Sequence, residues 1–501
     1  MKILNFTPRE YQNAIFETVK GHNTLVVLPT GIGKTAIAIL LSENRLNLYP
    51  ESKILICSPT KPLCAQHVKS FTKFTDVDKE DIVIYTGAIP PKKRADLWNN
   101  GKIIIATPQT IESDLINNRI SLESTSLLVI DEAHRSRMKY ANTLVAKNYN
   151  ENAKNKRILA LTASPGSTKE RIDEIRDNLF LDRVEIRAET DKDVSPYVQE
   201  KEIEWVHVNL PSEFDRIKNL IKQLRDDKIN ELKRIIPQKK FFNKKDLLNL
   251  QFSFRKSITK GNKMAFWGIS LTAQLLKLSY ALELVETQGI RQLIQYWNKL
   301  EDDTSKAAKI IINDSRIKQA IQLSSDFQEN KHPKMLKLKE IVLNELNKNN
   351  ESRVIIFANF RNTINEIYKE LNDHLIKPVI LVGQKEGLTQ KEQIKRIKEF
   401  GEGIYNVLIG TSISEEGLDI PTANLAIFYE PVPSEIRMIQ RGGRVGRTIK
   451  GKIIFLITKK TRDEAYYWSS KSKEKTMKRT LYNIKNKVNI QSRIGEFNND
   501  N

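Results

Sequence analysis

The sequence has only two cysteines in 501 residues, Cys57 and Cys64. That excludes a disulfide framework, and neither cysteine has the paired-Cys or Cys/His spacing of a zinc site. Cys57 closes the apolar run Lys53-Ile-Leu-Ile-Cys57 and reads as packing. No stretch approaches the roughly 18 apolar residues needed to cross a bilayer. The opening Met1-Lys-Ile-Leu-Asn-Phe6 has none of the long apolar core of a secretory signal. Acidic residues are outnumbered: 61 Asp and Glu against 82 Lys and Arg leave a formal charge of +21. Membrane-spanning and disulfide-stapled secreted classes therefore drop out. A soluble protein of a reducing, intracellular compartment is expected, cytoplasmic and without a membrane partner. The positive balance points to a polyanionic partner, nucleic acid first.

Apolar residues make up 40% of the chain, enough for sizeable cores. The length suits roughly two to four domains. Short Ile/Val/Leu runs at 24–28, 54–57, 82–85, 103–106, 127–130 and 158–162 alternate with charged amphipathic segments, the rhythm of βα units on a parallel sheet. The rhythm returns in Val354–Phe357, Pro378–Val382, Asn406–Ile409, Leu425–Tyr429 and Lys452–Ile457. Between the two lies a stretch at helical spacing, in which Phe214, Ile217, Leu220, Ile221 and Leu224 share one helix face. The expected fold class is α/β: parallel-sheet domains at 1–190 and 331–501 flanking a helical insert at 191–330. Residues 233–263 of the insert hold ten Lys and Arg against Asp246 alone, with Lys239, Lys240, Lys244 and Lys245 at the centre. Phe241, Phe242, Phe252 and Phe254 are interleaved. The charge reads as a nucleic-acid contact. The phenylalanines read first as core, with base stacking the alternative. The segment 471–493, with eight basic residues against Glu474, is either a second electrostatic contact or a solvated helix.

Residues 29–35 read Pro-Thr-Gly-Ile-Gly-Lys-Thr, between the buried-strand pattern Thr24–Leu28 and the helix-like Ala36–Leu41. The general phosphate-loop pattern asks for glycine at position 28, where this chain has leucine. Gly31 and Gly33 let the backbone turn tightly with amides inward. The helix start beyond them favours an anion. Thr30, Gly31, Gly33, Lys34 and Thr35 are the expected ATP-binding residues: Lys34 bridges the β- and γ-phosphates and the Thr35 hydroxyl binds Mg2+. About a hundred residues on, Leu127–Ile130 ends in Asp131-Glu132-Ala133-His134. An Asp at the carboxyl end of a parallel strand sits where such sheets bind ligands. Asp131 is the second expected Mg2+ ligand, Glu132 the base for the attacking water, and His134 a coupling residue. Far downstream, Gln440-Arg-Gly-Gly-Arg-Val-Gly-Arg447 places two arginines three residues apart behind glycine turns. Arg444 and Arg447 read as arginine fingers on the transferring phosphoryl group, with Gln440 orienting water or phosphate.

These motifs resemble superfamily 2 helicases of the DEAH-box type, which use this form of the phosphate loop. By that resemblance Pro8-Arg-Glu-Tyr-Gln12 is an adenine-reading motif, with Gln12 on the adenine edge and Arg9 on its ring. Ser58-Pro-Thr60 and Ala106-Thr-Pro-Gln-Thr110 are similar to strand-gripping motifs, which implies phosphate contacts from Thr60 and Thr107. Thr162-Ala-Ser164 is similar to the motif that couples hydrolysis to movement. Gly410–Pro421 is similar to the motif that touches both ligands, implying Thr411 on nucleic acid and Gly417 and Asp419 on the nucleotide. Val354–Arg361, Gly387–Gln393, Tyr429–Ser434 and Thr461–Ser470 resemble the archaeal Hef helicase and its relative, the Fanconi anaemia M protein. That family implies two RecA-like domains with a thumb-like helical insert, ATP and Mg2+ as cofactors, and forked or branched DNA as substrate in fork repair. A separate structure-specific nuclease or sliding clamp is a further expected partner. The nuclease and helix-hairpin-helix parts of full-length Hef have no counterpart here, so cleavage is not expected. A double-stranded RNA motor of the RIG-I or Dicer type, and a non-hydrolysing ATP-gated clamp, are the alternatives.

Overall fold

The computed structural model describes residues 1–497 apart from 138–139, 167, 199–200, 240–241, 259–263, 373–374, 384–386, 412–419, 422 and 431–450, and no side chains beyond residue 483. All six N-terminal apolar runs are strands: β1 Thr24–Val27, β2 Lys53–Cys57, β3 Ile82–Tyr85, β4 Ile103–Ala106, β5 Thr125–Ile130 and β6 Ile158–Thr162. A seventh, β7 Arg183–Ile186, completes a parallel sheet in the order β3-β4-β2-β5-β6-β1-β7. Its Arg-Val-Glu-Ile alternates because it lies on the sheet edge. The inner strands are buried along their length. Leu25 and Val27 point into one core, and Val26 and Leu28 into another on the opposite face. A strand covered on both faces reads as an unbroken apolar run. Since β5, β6 and β1 are neighbours, the loops leaving their carboxyl ends converge.

The second sheet runs β10-β11-β9-β12-β13-β8, also parallel throughout. Its strands are β8 Lys201–Val208, β9 Val354–Phe357, β10 Pro378–Leu381, β11 Val407–Gly410, β12 Leu425–Phe428 and β13 Gly451–Thr458. Strand β8 falls inside the stretch expected to be helical. As an edge strand it is largely exposed, so Lys-Glu-Ile-Glu-Trp-Val-His-Val carries charge where an inner strand carries leucine. The insert proper is helical from Ser212–Ile235 through Ser315–Asp326, with one π-helical turn at Leu284–Gln288. The expected face of its first helix is buried at Phe214, Ile217, Ile221 and Leu224, against Leu278, Leu293 and Trp297.

The last helix, Arg462–Phe497, has 36 residues and spans about 54 Å at 1.5 Å per residue. It starts where insert and second sheet meet. Buried Asp463 pairs with buried Lys334 at 2.8 Å. Arg462 reaches Glu283 at 3.4 Å, and its amide donates to Glu286 at 3.3 Å. Farther along, Met477 enters a core of the first sheet, and Tyr482 Oη donates to Asp191 Oδ1 at 3.0 Å. One helix therefore touches all three parts of the chain.

Candidate active site

The phosphate loop follows β1 as expected. Gly31 and Gly33 take φ of 85° and 87°, in the left-handed region that glycine enters without a Cβ clash. Gly33 caps α2, Lys34–Leu48, with no side-chain cap on the helix start, where the helix dipole favours an anion. A Cβ at Gly33 would stand 2.6 Å from Gln12 Nε2, so only glycine lets that side chain lie against the loop. Gln12, on helix α1 Glu10–Gly21, is buried. Its carbonyl accepts from the Arg9 amide at 2.9 Å, while Tyr11 Oη donates to the Ile32 carbonyl. The Arg9 guanidinium lies 4.7 Å from the Tyr197 ring centroid. Lys34 Nζ rests 3.4 Å from the Leu28 carbonyl and 3.5 Å from that of Pro29, inside the loop. Thr30, Gly31 and Thr35 line the same turn.

Asp131 sits at the end of β5, buried, and its carboxylate is held on three sides. His67 Nε2 is 2.9 Å from Oδ2, the Ser58 hydroxyl donates to Oδ2 at 3.2 Å, and the Glu132 amide donates to Oδ1 at 3.0 Å. Burial alone would raise its pKa, yet the His67 hydrogen bond and charge, with Lys34 nearby, hold it below the usual carboxylate value. A carboxylate and a threonine hydroxyl are hard-oxygen donors of the kind that suits Mg2+, and Asp131 and Thr35 are the two such groups expected here. Glu132 follows in a left-handed conformation, φ 51° and ψ 50°. Its Oε2 is shut from solvent and has no hydrogen bond of good geometry, with His134 Nδ1 3.3 Å away. A buried carboxylate oxygen left in that state is suited to take a proton from, or orient, a water in the site. His134 Nδ1 also lies 3.3 Å from the Thr162 hydroxyl at the end of β6, and that hydroxyl accepts from the Ser164 amide at 3.2 Å. The Ser164 hydroxyl in turn meets Met477 Sδ at 3.0 Å. Glu132, His134, Thr162, Ser164 and the last helix thus form one contiguous line.

Similarity decides the family. The fold is similar to the helicase domain of Hef from Pyrococcus furiosus, with TM-score 0.74 and 44% identity, covering 92% of this chain and 98% of that one. The chain belongs to the Hef helicase family. It matches the DEAD/DEAH box helicase family over 9–172, the ATP-dependent RNA helicase helical bundle over 213–331 and the helicase conserved C-terminal domain over 333–449. A protein of Methanocaldococcus jannaschii described as an ATP-dependent RNA helicase is 42% identical over 95% of this chain and 61% of its own length. The ATP-dependent DNA helicase Fml1 of Schizosaccharomyces pombe is 33% identical over 95% and 60%. Drosophila melanogaster Fancm is 30% identical over 91% and 33%. The chain therefore spans between a third and two thirds of these relatives.

Of the nucleic-acid residues expected from superfamily 2 motifs, Thr60 caps α3, Lys61–Phe74, accepting from the Leu63 amide at 3.5 Å. The Thr107 hydroxyl meets that of Thr110 at 2.8 Å, and Thr411 is buried just past β11. In the insert, Lys239 is paired with Asp246 at 2.6 Å, and Lys244 and Lys245 are exposed. Lys240, Gly417, Asp419, Gln440, Arg444 and Arg447 lie outside the described residues. Sequence reasoning missed His67, although it lies on the buried face of α3 between Cys64 and Phe71. A histidine in an apolar stripe needs a polar partner, and that was the available signal. Both thiols are inert: burial pushes Cys64 up to about 12 and Cys57 higher still. No group of three metal-ligating side chains occurs among the described residues, and none of their helices is long and apolar enough to cross a membrane.

Proposed function

We propose that this Hef-family chain is an ATP-driven motor that acts on forked or branched DNA, in the remodelling of forks and junctions for repair. The observation that carries the reading is the convergence of Lys34, after β1, with Asp131 and Glu132, after β5, in line with Thr162 and Ser164 at the end of β6. Lys34 and the first amides of α2 bind the β- and γ-phosphates. Thr35 and Asp131 hold Mg2+, which offsets phosphate charge when bound. His67 and Ser58 fix the Asp131 carboxylate, and Glu132 orients and deprotonates the attacking water. Arg9 and Gln12 belong to the adenine side. Arg444 and Arg447, with Gln440, Gly417 and Asp419, supply the second domain's half. Thr60, Thr107 and Thr411 grip strand phosphates, and the basic insert holds the branch. The matched spans support domains close to 1–190, 191–330 and 331–501, with β8 assigned to the last. A separate nuclease or sliding clamp working alongside is part of the same reading.

Relatives named as DNA helicases support DNA as the track, while the Methanocaldococcus protein named as an RNA helicase supports RNA. ATP turnover measured with single strands, duplex, fork and four-way junction, in DNA and in matching RNA, separates the two. The expected result is strongest stimulation by fork or junction DNA. Stronger stimulation by RNA duplex replaces the DNA reading, and no turnover with any of them replaces the motor by a clamp.

A further inference from the structure

Strand β8 leaves one edge of the second sheet open. Along a parallel edge strand, successive residues bond the neighbour and face away by turns. The Lys459 amide donates to the Val208 carbonyl at 2.9 Å, so the even residues of β8 serve the pairing with β13. The amides and carbonyls of Ile203, Trp205 and His207 then face outward, and among the described residues nothing pairs with them. Such an edge is a template for another chain unless it is short, broken or covered. The opposite edge, β10, has four residues and begins on Pro378. Strand β8 has eight, no proline and an unbroken register along β13. Glu202 and Glu204 turn to the far face, where Lys452 pairs with them at 3.5 and 2.6 Å. Ile203 and Trp205, on the near face, are 53% and 41% exposed.

The last helix sets a cationic, aromatic wall beside that edge. Trp205 meets Tyr467 at a ring-centroid distance of 5.6 Å, and Tyr467 meets Trp468 at 5.2 Å. Lys471 Nζ lies 4.4 Å from the Trp205 centroid and 5.6 Å from that of Trp468. These contacts put both tryptophans and the ammonium on one face, and Trp468 is 58% exposed. The rings attract the ammonium without neutralising it. Among the described residues no carboxylate pairs with Lys471. A carboxylate would complete the site, and a chain of charge +21 favours an acidic visitor. Nucleic acid also brings negative charge, but it has no alternating N–H and C=O groups to match the outward row of β8.

We propose that the free edge of β8 docks an extended, acidic segment of a partner protein, which adds to the second sheet as a further strand. The segment's backbone pairs with Ile203, Trp205 and His207, its apolar side chains lie on Ile203, Trp205 and Trp468, and a carboxylate reaches Lys471. Docking there does not depend on which nucleic acid the motor follows. For the test, a displayed library of random linear peptides is selected on the wild-type chain, and the enriched peptide is measured by fluorescence anisotropy. Enrichment is expected for β-branched or aromatic residues together with Asp or Glu. Methylating the peptide's amide nitrogens one at a time should give a two-residue period, binding being lost where the amide faces β8 and kept where it faces away. Trp468→Ala and Lys471→Glu should each weaken binding about tenfold or more, with the unfolding temperature and basal ATP turnover kept. Ile203→Pro removes an outward amide and no bond to β13, so it should weaken binding more than Ile203→Ala. No enriched peptide, or one whose binding shows no two-residue period and ignores these substitutions, would overturn the proposal. Loss of single-stranded DNA binding rather than peptide binding in the Trp468 and Lys471 variants makes the face a nucleic-acid contact. A wild-type dimer in sedimentation that Ile203→Pro abolishes makes the occupant a second copy of the chain. Either result also overturns the partner segment.

Discussion

Glu132 is held at φ 51° and ψ 50°, where a non-glycine residue is strained by roughly 1–3 kcal/mol. The strain aims its carboxylate past the end of β5 toward His134, a direction an extended residue there would not give. Glu132→Gln keeps the shape and removes the proposed base. ATP turnover should fall about 10²- to 10⁴-fold with KM nearly kept. Glu132→Gly should be equally inactive yet melt no lower than wild type, because glycine takes that backbone freely. Wild-type turnover by the glutamine variant removes the assignment. Asp114 illustrates charge used for structure. Fully buried, it accepts from Arg94 twice at 2.7 Å, from Tyr85 at 2.6 Å and from Arg119 at 2.8 Å. Burial acts to raise its pKa, but Arg94, Tyr85 and Arg119 bring it down to about 2. An unfolded Asp titrates near ~3.9. The ionised network therefore stabilises fully above about pH 4, and that contribution is lost as pH falls toward 2. Asp114→Asn should cost about 3–5 kcal/mol at pH 7, since Arg94 keeps a buried, unpaired charge. In urea unfolding the gap to wild type should narrow at pH 3; an unchanged gap would mean that the ionised carboxylate is not its source.

Among elements, legibility in the sequence tracks burial. Every strand covered on both faces was readable from its apolar run, from Thr24–Val27 to Gly451–Thr458. The two missed, β7 and β8, are edge strands whose solvent side carries Arg183, Glu185, Glu202 and Glu204. The docking of the last helix was equally hidden. Lys471 to Arg479 looks like a solvated basic segment, and nothing local says that Met477, between lysines, is buried in the first sheet's core some 300 residues away in sequence. Only the fold brings Met477 Sδ to the Ser164 hydroxyl at 3.0 Å. Met477→Ala removes that contact and leaves a cavity, at a local cost of about 2–5 kcal/mol. The expected outcome is faster hydrogen exchange in the last helix and around Asp191, with the protection of β1, β5 and β6 retained. DNA-stimulated kcat should drop while ATP KM stays. Unchanged exchange would show that Met477 is not what docks the helix.

At the scale of the whole molecule, the first sheet's side of the site was legible from spacing, while Gln440, Arg444 and Arg447, expected to complete it, lie outside the described residues. Spacing alone linked Lys34 to Asp131, and the sheet order β5-β6-β1 brings them close with one strand between. His67 and Tyr197 were not legible, because each acts through a partner far away in sequence. The charge of +21 was plain, but its working distribution was not. Four lysines of the insert read as one patch, whereas the fold ties Lys239 to Asp246 and leaves Lys244, Lys245, Arg255 and Lys256 outward on one helix. Each phosphate contact contributes about 0.9 to the slope of log affinity against log salt. Replacing those four outward residues by alanine should weaken DNA binding and flatten the slope by up to about 3.6, with duplex and fork affected alike. Lys239→Ala alone should change the slope by much less, since Asp246 already balances that charge. A slope unaltered in the fourfold variant would make the face a solvated surface and move the electrostatic footprint elsewhere on the molecule. A Lys239 effect as large as one of the outward residues would mean that the Asp246 pair opens when DNA binds.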